Sequence, residues 1–246
     1  MDKIHNYKIT VEYDGKNFFG WQIQKTTEKT IQHEIEKAVN IILKDKIRII
    51  VSGRTDTGVH AYNQVANFKT DKIISDKRKF LYSLNSLIPK SITIKSIQKA
   101  PDNFHARYSA KKREYIYQIS NSRLSINRDL FYVIDYKINF DLINKAFKFF
   151  NGNHNFKSLC KNKTDKHNFN CYIHNISLFK KKNIIIFKIT ANRFLHSMVR
   201  GIIGCLIDIG RGYLDLNETI QKFEKGEKIK TKFLPSNALF LNKIYY

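Results

Sequence analysis

Cysteine, proline, tryptophan and acidic residues are all scarce in this chain. Its 246 residues include three cysteines, three prolines, one tryptophan and 21 aspartates and glutamates. Cys160, Cys171 and Cys205 are too few, and odd in number, for a disulfide framework, which fits a reducing compartment. Cys160, His167, Cys171 and His174 lie close together, but there is no CxxC pair and the spacing fits no common zinc finger, so no metal is expected. No G-K-[ST] follows a glycine-rich turn, which excludes a phosphate-binding P-loop. The few prolines and glycines form no linker, repeat or low-complexity tract. The opening Met1-Asp-Lys-Ile-His-Asn lacks the apolar run of a signal peptide. The longest apolar helical stretch, near 202–209, falls far short of the about 20 residues that span a bilayer. A cytoplasmic protein with no membrane partner is expected.

Basic and aromatic residues are abundant instead. Lysine and arginine number 44, giving a net charge of +23 and a pI near 9.8. A field of that sign attracts polyanions, nucleic acid before anionic membrane. Isoleucine and asparagine run high together with lysine, so biased codon usage offers a second source for part of the charge. A hydrophobic fraction of 42% and an aromatic fraction of 13% specify a folded core.

Along the chain, strand and helix patterns alternate. Ile9, Val11 and Tyr13 mark a half-buried strand over 8–14. Behind a Thr30 cap, Ile31, Ile35, Ala38, Val39 and Ile42 have helical spacing. Strands are predicted over 48–52, 64–68 and 92–97, with a helix through Phe80, Leu81, Leu84 and Leu87 that Pro89 closes. The second half repeats the style. It has strands over 113–120, 172–179, 183–190 and 239–245, and helices over 140–150, 194–209 and 218–224. Two α+β halves result, each a sheet with helices on one face. The join is expected near 105–112, giving domains 1–108 and 109–246.

Three features could carry chemistry. The first is Ser52-Gly-Arg-Thr-Asp-Thr-Gly-Val-His60, a β-branched strand running into a loop with two glycines around Arg54 and Asp56. An aspartate in such a loop is either a turn former or a functional carboxylate. The second is Arg200, in a helix apolar on nearly every side. A buried guanidinium needs an anionic partner, either in a structural ion pair or as the holder of an active-site carboxylate. The third is aromatic. Tyr115 follows a basic run, and Phe18, Phe19 and Trp21 flank Gly20; each is either core packing or a base-stacking surface.

These residues resemble a known family. Gly53-Arg-Thr-Asp-Thr-Gly-Val-His-Ala61 resembles the signature loop of the tRNA pseudouridine synthase A family, in which the aspartate of the loop is essential. In order along the chain, Tyr13-Asp-Gly15 with Phe19-Gly-Trp-Gln22, Leu84-Asn-Ser-Leu-Ile-Pro89 and Asn103-Phe-His-Ala-Arg-Tyr-Ser-Ala110 resemble further motifs. So do Arg113-Glu-Tyr-Ile-Tyr117 and Phe194-Leu-His-Ser-Met-Val-Arg200. Ser91, Asn155 and the Pro235-Ser-Asn-Ala-Leu239 turn depart from the family's usual residues, but none falls on the Asp, Tyr or Arg positions.

The resemblance implies two ferredoxin- or RRM-like halves whose mixed, mainly antiparallel sheets join around a central cleft. It implies isomerisation of uridine to pseudouridine on the 3′ side of the tRNA anticodon stem-loop, by a homodimer and without a cofactor. The C1′–N1 bond breaks, the base turns, and C5 bonds to C1′. Asp56 is then the nucleophile at C1′, the carboxylate that removes the 2′ proton to give a glycal, or a group that adds instead to the base. Arg200 pairs with Asp56. Tyr115 stacks on the base and is a candidate acceptor for the C5 proton. Arg54, His60, Arg107, Phe19 and Trp21 are candidate RNA contacts. The rival reading is a non-enzymatic RNA-binding module, which leaves the Gly-flanked Asp56 unexplained, because a carboxylate repels phosphates. A zinc-dependent deaminase lacks its H-x-E and P-C-x-x-C pattern.

Overall fold

The computed structural model describes residues 3–161 and 168–246. The chain divides into two compact units, one running to Lys111 and taking in Phe240–Tyr246, the other Lys112–Leu239. The final strand is thus grouped with the first unit rather than the second. Both units are α+β, with mainly antiparallel strands.

In the first unit β1 (His5–Tyr13) leads into α1 (Ile31–Leu43), followed by β2 (Ile50–Val51), β3 (His60–Thr70), α2 (Lys77–Leu87) and β4 (Ile92–Ala100). β1 is central, antiparallel to β3 and β4, and Ile9 lies opposite both Ala66 and Ile97. Its alternation buries Tyr7, Ile9, Val11 and Tyr13. α1 starts where Thr30 accepts from the His33 amide at 3.3 Å, a cap of about 1 kcal/mol. It turns Ile31, Ile35, Ala38 and Val39 inward. Asp76 caps α2 in the same way. Asn85 then fastens α2 to β4, accepting from Ile94 N at 2.8 Å and donating to Ile94 O at 3.0 Å.

The second unit holds β5 (Lys112–Ser120), β6 (Tyr132–Val133), α3 (Phe140–Phe150), β7 (Gly152–Asn155), β8 (Asn170–Lys181), β9 (Ile184–Ala191), α4 (Met198–Gly210) and α5 (Leu216–Glu224). Its strands run in the order β5-β9-β8-β7, and β6 lies parallel beside β5. Phe147 meets Phe187 edge-on at 6.2 Å, and Phe150 meets Phe223 at 5.2 Å. These contacts join α3 to the sheet and to α5. The last strand, β10 (Leu239–Tyr245), pairs parallel with β3, Phe240 opposite His60.

One helix begins later than its apolar pattern predicts. α4 starts at Met198, not at 194, because Ser197 adopts a left-handed conformation (φ 58°) that breaks the helix. Phe194 is apolar for another reason, since its ring meets Tyr115 edge-on at 5.1 Å.

Candidate active site

Residues 52–59 connect β2 to β3 and carry Asp56. Ser52 N is still laddered to Val65 O at 2.9 Å. Beyond it the chain turns, and Val59 N closes onto Asp56 O at 3.1 Å. A buried polar network lies beneath. Gln64 donates to Gly53 O at 2.8 Å and accepts from Ser52 Oγ at 2.7 Å. The Tyr13 hydroxyl bonds Thr55 Oγ1 at 2.8 Å. Burial pushes the Tyr13 phenol far above its usual range, so it stays protonated, and the Thr55 and Gln64 hydrogen bonds only partly oppose this. Above this base Asp56 is half-exposed and Arg54 exposed.

The β1–α1 segment clamps the loop from the side. Trp21 N donates to Thr55 O at 3.1 Å and Gly58 N to Phe18 O at 3.3 Å. The approach is close enough to require glycine. A Cβ on Gly15 would lie 2.1 Å from Val59 O, and one on Gly20 (φ 87°) 2.6 Å from Thr55 O. Sequence reasoning missed this clamp, although glycines in the Tyr13-Asp-Gly15 and Phe19-Gly-Trp-Gln22 motifs were its visible signal. It also missed Gln64, a glutamine fully buried in a strand.

Two of the candidate RNA contacts lie buried at this clamp. Trp21 is 0% exposed, its ring 5.9 Å from Tyr13, so it supports the loop from below and has no face for a base. His60 is buried as well, stacked on Phe240 at 4.6 Å. Its Nδ1 lies 3.1 Å from Gly15 N and 3.0 Å from Asp14 Oδ1. The neutral ring accepts from Gly15; the protonated ring donates to Asp14. Phe19, by contrast, is 49% exposed next to the Gly20 crossing.

In the second unit Tyr115 lies on β5, 9% exposed. Arg200 stands in the first turn of α4 and is half-exposed, not buried as the apolar helix implied. Its Nε donates to Leu234 O, and Leu234 N returns to Arg200 O at 3.4 Å. The guanidinium is thereby oriented while keeping further donors for an anion. Nearby, the fully buried Tyr117 donates to Pro235 O at 2.9 Å. Burial pushes its phenol up, against an opposing effect of Arg200.

Within the first unit Arg107 is not gathered with the Asp56 loop. Its segment is tied to Asn6, at the opposite end of β1 from Tyr13. Seven residues at about 3.3 Å each put these two ends roughly 23 Å apart. Among the described residues no three His, Cys, Asp or Glu side chains gather as a metal site; His167 lies outside them. No helix among them is long and apolar enough to cross a membrane.

Residues 9–109 and 146–246 match a family model described as tRNA pseudouridine synthase. The Asp56 loop and Arg107 lie in the first matched segment and Arg200 in the second, with Tyr115 between them. A tRNA pseudouridine synthase A from Caldicellulosiruptor bescii is 39% identical over 99% of this chain and 100% of its own length. One from Acetivibrio thermocellus is 36% identical over 99% and 100%. A tRNA pseudouridine synthase A 1 from Bacillus cereus is 37% identical over 100% and 99%. Among solved structures, an archaeal box H/ACA sRNP Nop10–Cbf5 complex matches 82% of this chain and 43% of that chain at 12% identity and a TM-score of 0.36, a likeness too distant to carry weight. On the family match and the full-length relatives, the chain belongs to the tRNA pseudouridine synthase family.

Proposed function

We propose that this tRNA pseudouridine synthase, an isomerase, acts on uridines of the anticodon stem-loop, as a cytoplasmic homodimer and with Asp56 as its catalytic carboxylate. The observation that carries the assignment is the mounting of Asp56. It is a half-exposed acid on a loop braced by a buried polar network and by two glycine-permitted backbone crossings. Rigid mounting of an ionisable group at a solvent-facing position is what transition-state alignment requires.

The reaction needs a carboxylate at the ribose, a proton acceptor at C5, and a pocket that retains the detached base. Asp56 supplies the first, attacking C1′ or removing the C2′ proton while the electrons of the N1–C1′ bond leave with the uracil. After the base turns, C5 bonds to C1′ as the Asp56–C1′ bond breaks or, on the glycal route, as Asp56 returns the proton to C2′; the C5 proton then departs and N1 takes one up. Tyr115 stacks on the uracil and relays that proton, its hydroxyl oxygen accepting the proton from C5 as the phenolic proton passes on to water. Arg200, oriented through Leu234, pairs with the Asp56 carboxylate and is a positioning residue. A uridine within a stem or loop must leave its stack to reach such a site. Arg54 and Phe19, exposed beside Asp56, contact the flipped nucleotide or its phosphates, and the net charge of +23 grips the tRNA.

The test is pseudouridine formation in an unmodified tRNA transcript, without cofactor, by wild type and Asp56→Asn. Modification of anticodon-stem uridines by wild type alone, with both proteins binding the tRNA, is the expected result. A folded wild type that binds tRNA and modifies no uridine in several transcripts would sink the proposal in favour of a binding module.

A further inference from the structure

The segment 101–110 contains no helix or strand, yet it is fastened at most of its residues. Phe104 N donates to Pro101 O at 3.0 Å and Ser109 N to His105 O at 2.9 Å. His105 N reaches Ser109 Oγ at 3.1 Å, while the amides of Arg107 and Tyr108 converge on His105 Nδ1 at 3.2 and 3.3 Å. Underneath lies a buried amide pair, with Asn67 Nδ2 donating to Asn6 Oδ1 at 2.9 Å. Asn6 Nδ2 is thereby directed to the Pro101 and Phe104 carbonyls at 2.9 and 2.8 Å, and Asn67 Oδ1 accepts from Ala106 N at 2.8 Å. From the chain's last residue, the Tyr246 hydroxyl donates to Ala106 O at 2.9 Å. A buried network this fully satisfied fixes one loop conformation, because losing any member strands the others without partners.

On this braced frame the Tyr108 ring points outward, 77% exposed. His105 backs it at 4.3 Å, and the Arg107 guanidinium lies 5.7 Å from its centre. A tyrosine ring normally covers its apolar face against protein. Here the frame spends its rigidity on keeping the ring in solvent beside a cation. The other exposed positions of the segment are Pro101, Asp102, Asn103 and Arg107, with Lys111 just beyond, so the segment itself presents no second exposed large apolar side chain toward the core of a protein interface. One aromatic face with an adjacent guanidinium is instead the unit that stacks a base and holds its phosphate.

We infer that Tyr108 and Arg107 form a second RNA contact, stacking an unpaired tRNA base other than the target uridine and engaging the neighbouring phosphate. The segment is tied to Asn6 and the Asp56 loop to Tyr13, residues roughly 23 Å apart along β1 at about 3.3 Å per residue, which sets this contact away from the reacting nucleotide. Its effect therefore falls on tRNA affinity rather than on the chemical step. The inference rests on the proposed tRNA substrate.

The experiment is steady-state modification and equilibrium binding of one unmodified tRNA transcript by the full chain, comparing wild type with Tyr108→Ala, Tyr108→Phe and Arg107→Gln. Stacking on a single base is worth enough that Tyr108→Ala should raise KM and Kd roughly tenfold. Tyr108→Phe, which keeps the ring, should restore affinity to within about twofold. Arg107→Gln should weaken binding and lower the salt slope by about one. Thermal melts guard against misfolding, which a substitution at so exposed a ring should not cause. The inference is overturned if Tyr108→Ala binds and saturates like wild type, if its loss lies in kcat alone, or if it changes the protein's mass in light scattering, which would mark a protein interface. An inactive wild type would count against the tRNA synthase reading itself, and the binding comparison would still decide the role of Tyr108.

Discussion

Replacing Gly20 by alanine adds one methyl group where the β1–α1 segment crosses the Asp56 loop. The new Cβ would lie 2.6 Å from Thr55 O, 3.2 Å from Asp56 C and 3.3 Å from Thr57 N. All three are backbone atoms and cannot rotate away. Reaching an ordinary contact of 3.4 Å needs 0.8 Å of displacement at Thr55, the residue preceding Asp56. Misplacement of a reacting group by about 1 Å costs on the order of a hundredfold, so kcat should fall roughly 10- to 100-fold. Gly20 also has φ 87°, and alanine there costs about 1–2 kcal/mol whatever the space. At about 2–4 °C per kcal/mol for a chain of this size, the strain alone lowers Tm by roughly 2–8 °C. Gly226→Ala separates the two effects: its φ is 67° but nothing lies within 4 Å. It should lose stability through strain and keep its rate. The assay is pseudouridine formation per minute at saturating tRNA, read beside a thermal melt of each variant. If Gly20→Ala keeps a kcat within twofold of Gly226→Ala, the clamp does not position Asp56 and the reasoning fails.

Other expectations follow from single contacts. Tyr117→Phe leaves the Pro235 carbonyl without its 2.9 Å partner, which should cost about 1–2 kcal/mol in urea unfolding with no new cavity. Burial raises the Cys160 thiol and pushes Cys171 up to about 11 and Cys205 up to about 12. At pH 8 the native protein should therefore react slowly with a thiol reagent and quickly once denatured, and fast native labelling would refute the burial. These folded values lie above the unfolded thiol value of 9.0. The stabilisation is accordingly complete below pH 9 and is lost as pH rises through 11 to 12, which urea melts across that range will show as a falling midpoint.

How much was legible depended on whether the cause was local. α1 is encoded by a cap and an apolar face within fourteen residues, and both are present where the spacing put them. The β-branched run over 48–52 yields only the two-residue β2, because Ile47 and Ile49 are apolar for burial and not for pairing. Ser197 breaks α4 through a backbone conformation that no apolar pattern records. At the site, Asp56, Arg54 and the glycines are contiguous, so the loop could be read as a unit. Trp21 and His60 are buried, which the sequence did not show, because proximity in sequence to a loop does not say which side of it a ring occupies. Arg200 was expected to be buried with its helix, yet the first turn of a buried helix can still project a side chain outward.

The association of the two motifs around Asp56 has a single cause in sheet register. β1 and β3 are antiparallel neighbours with Tyr13 opposite Ala61, so the residues leaving β1 and those entering β3 emerge at the same end. Asp14 and Gly15 are thereby set against Val59 and His60, and the crossing at Gly20 follows within one short turn. The same register puts Tyr13 and Gln64 on one face beneath Gly53 and Thr55. A slip of one residue would send every β1 side chain to the opposite face. Tyr13 would leave Thr55, Gln64 would lose its bridge, and Ile9 and Val11 would leave the core together with them. The position of the Asp56 carboxylate is therefore protected by the full apolar content of β1, and the loop can carry a half-exposed acid on a surface that packing alone would never hold in place.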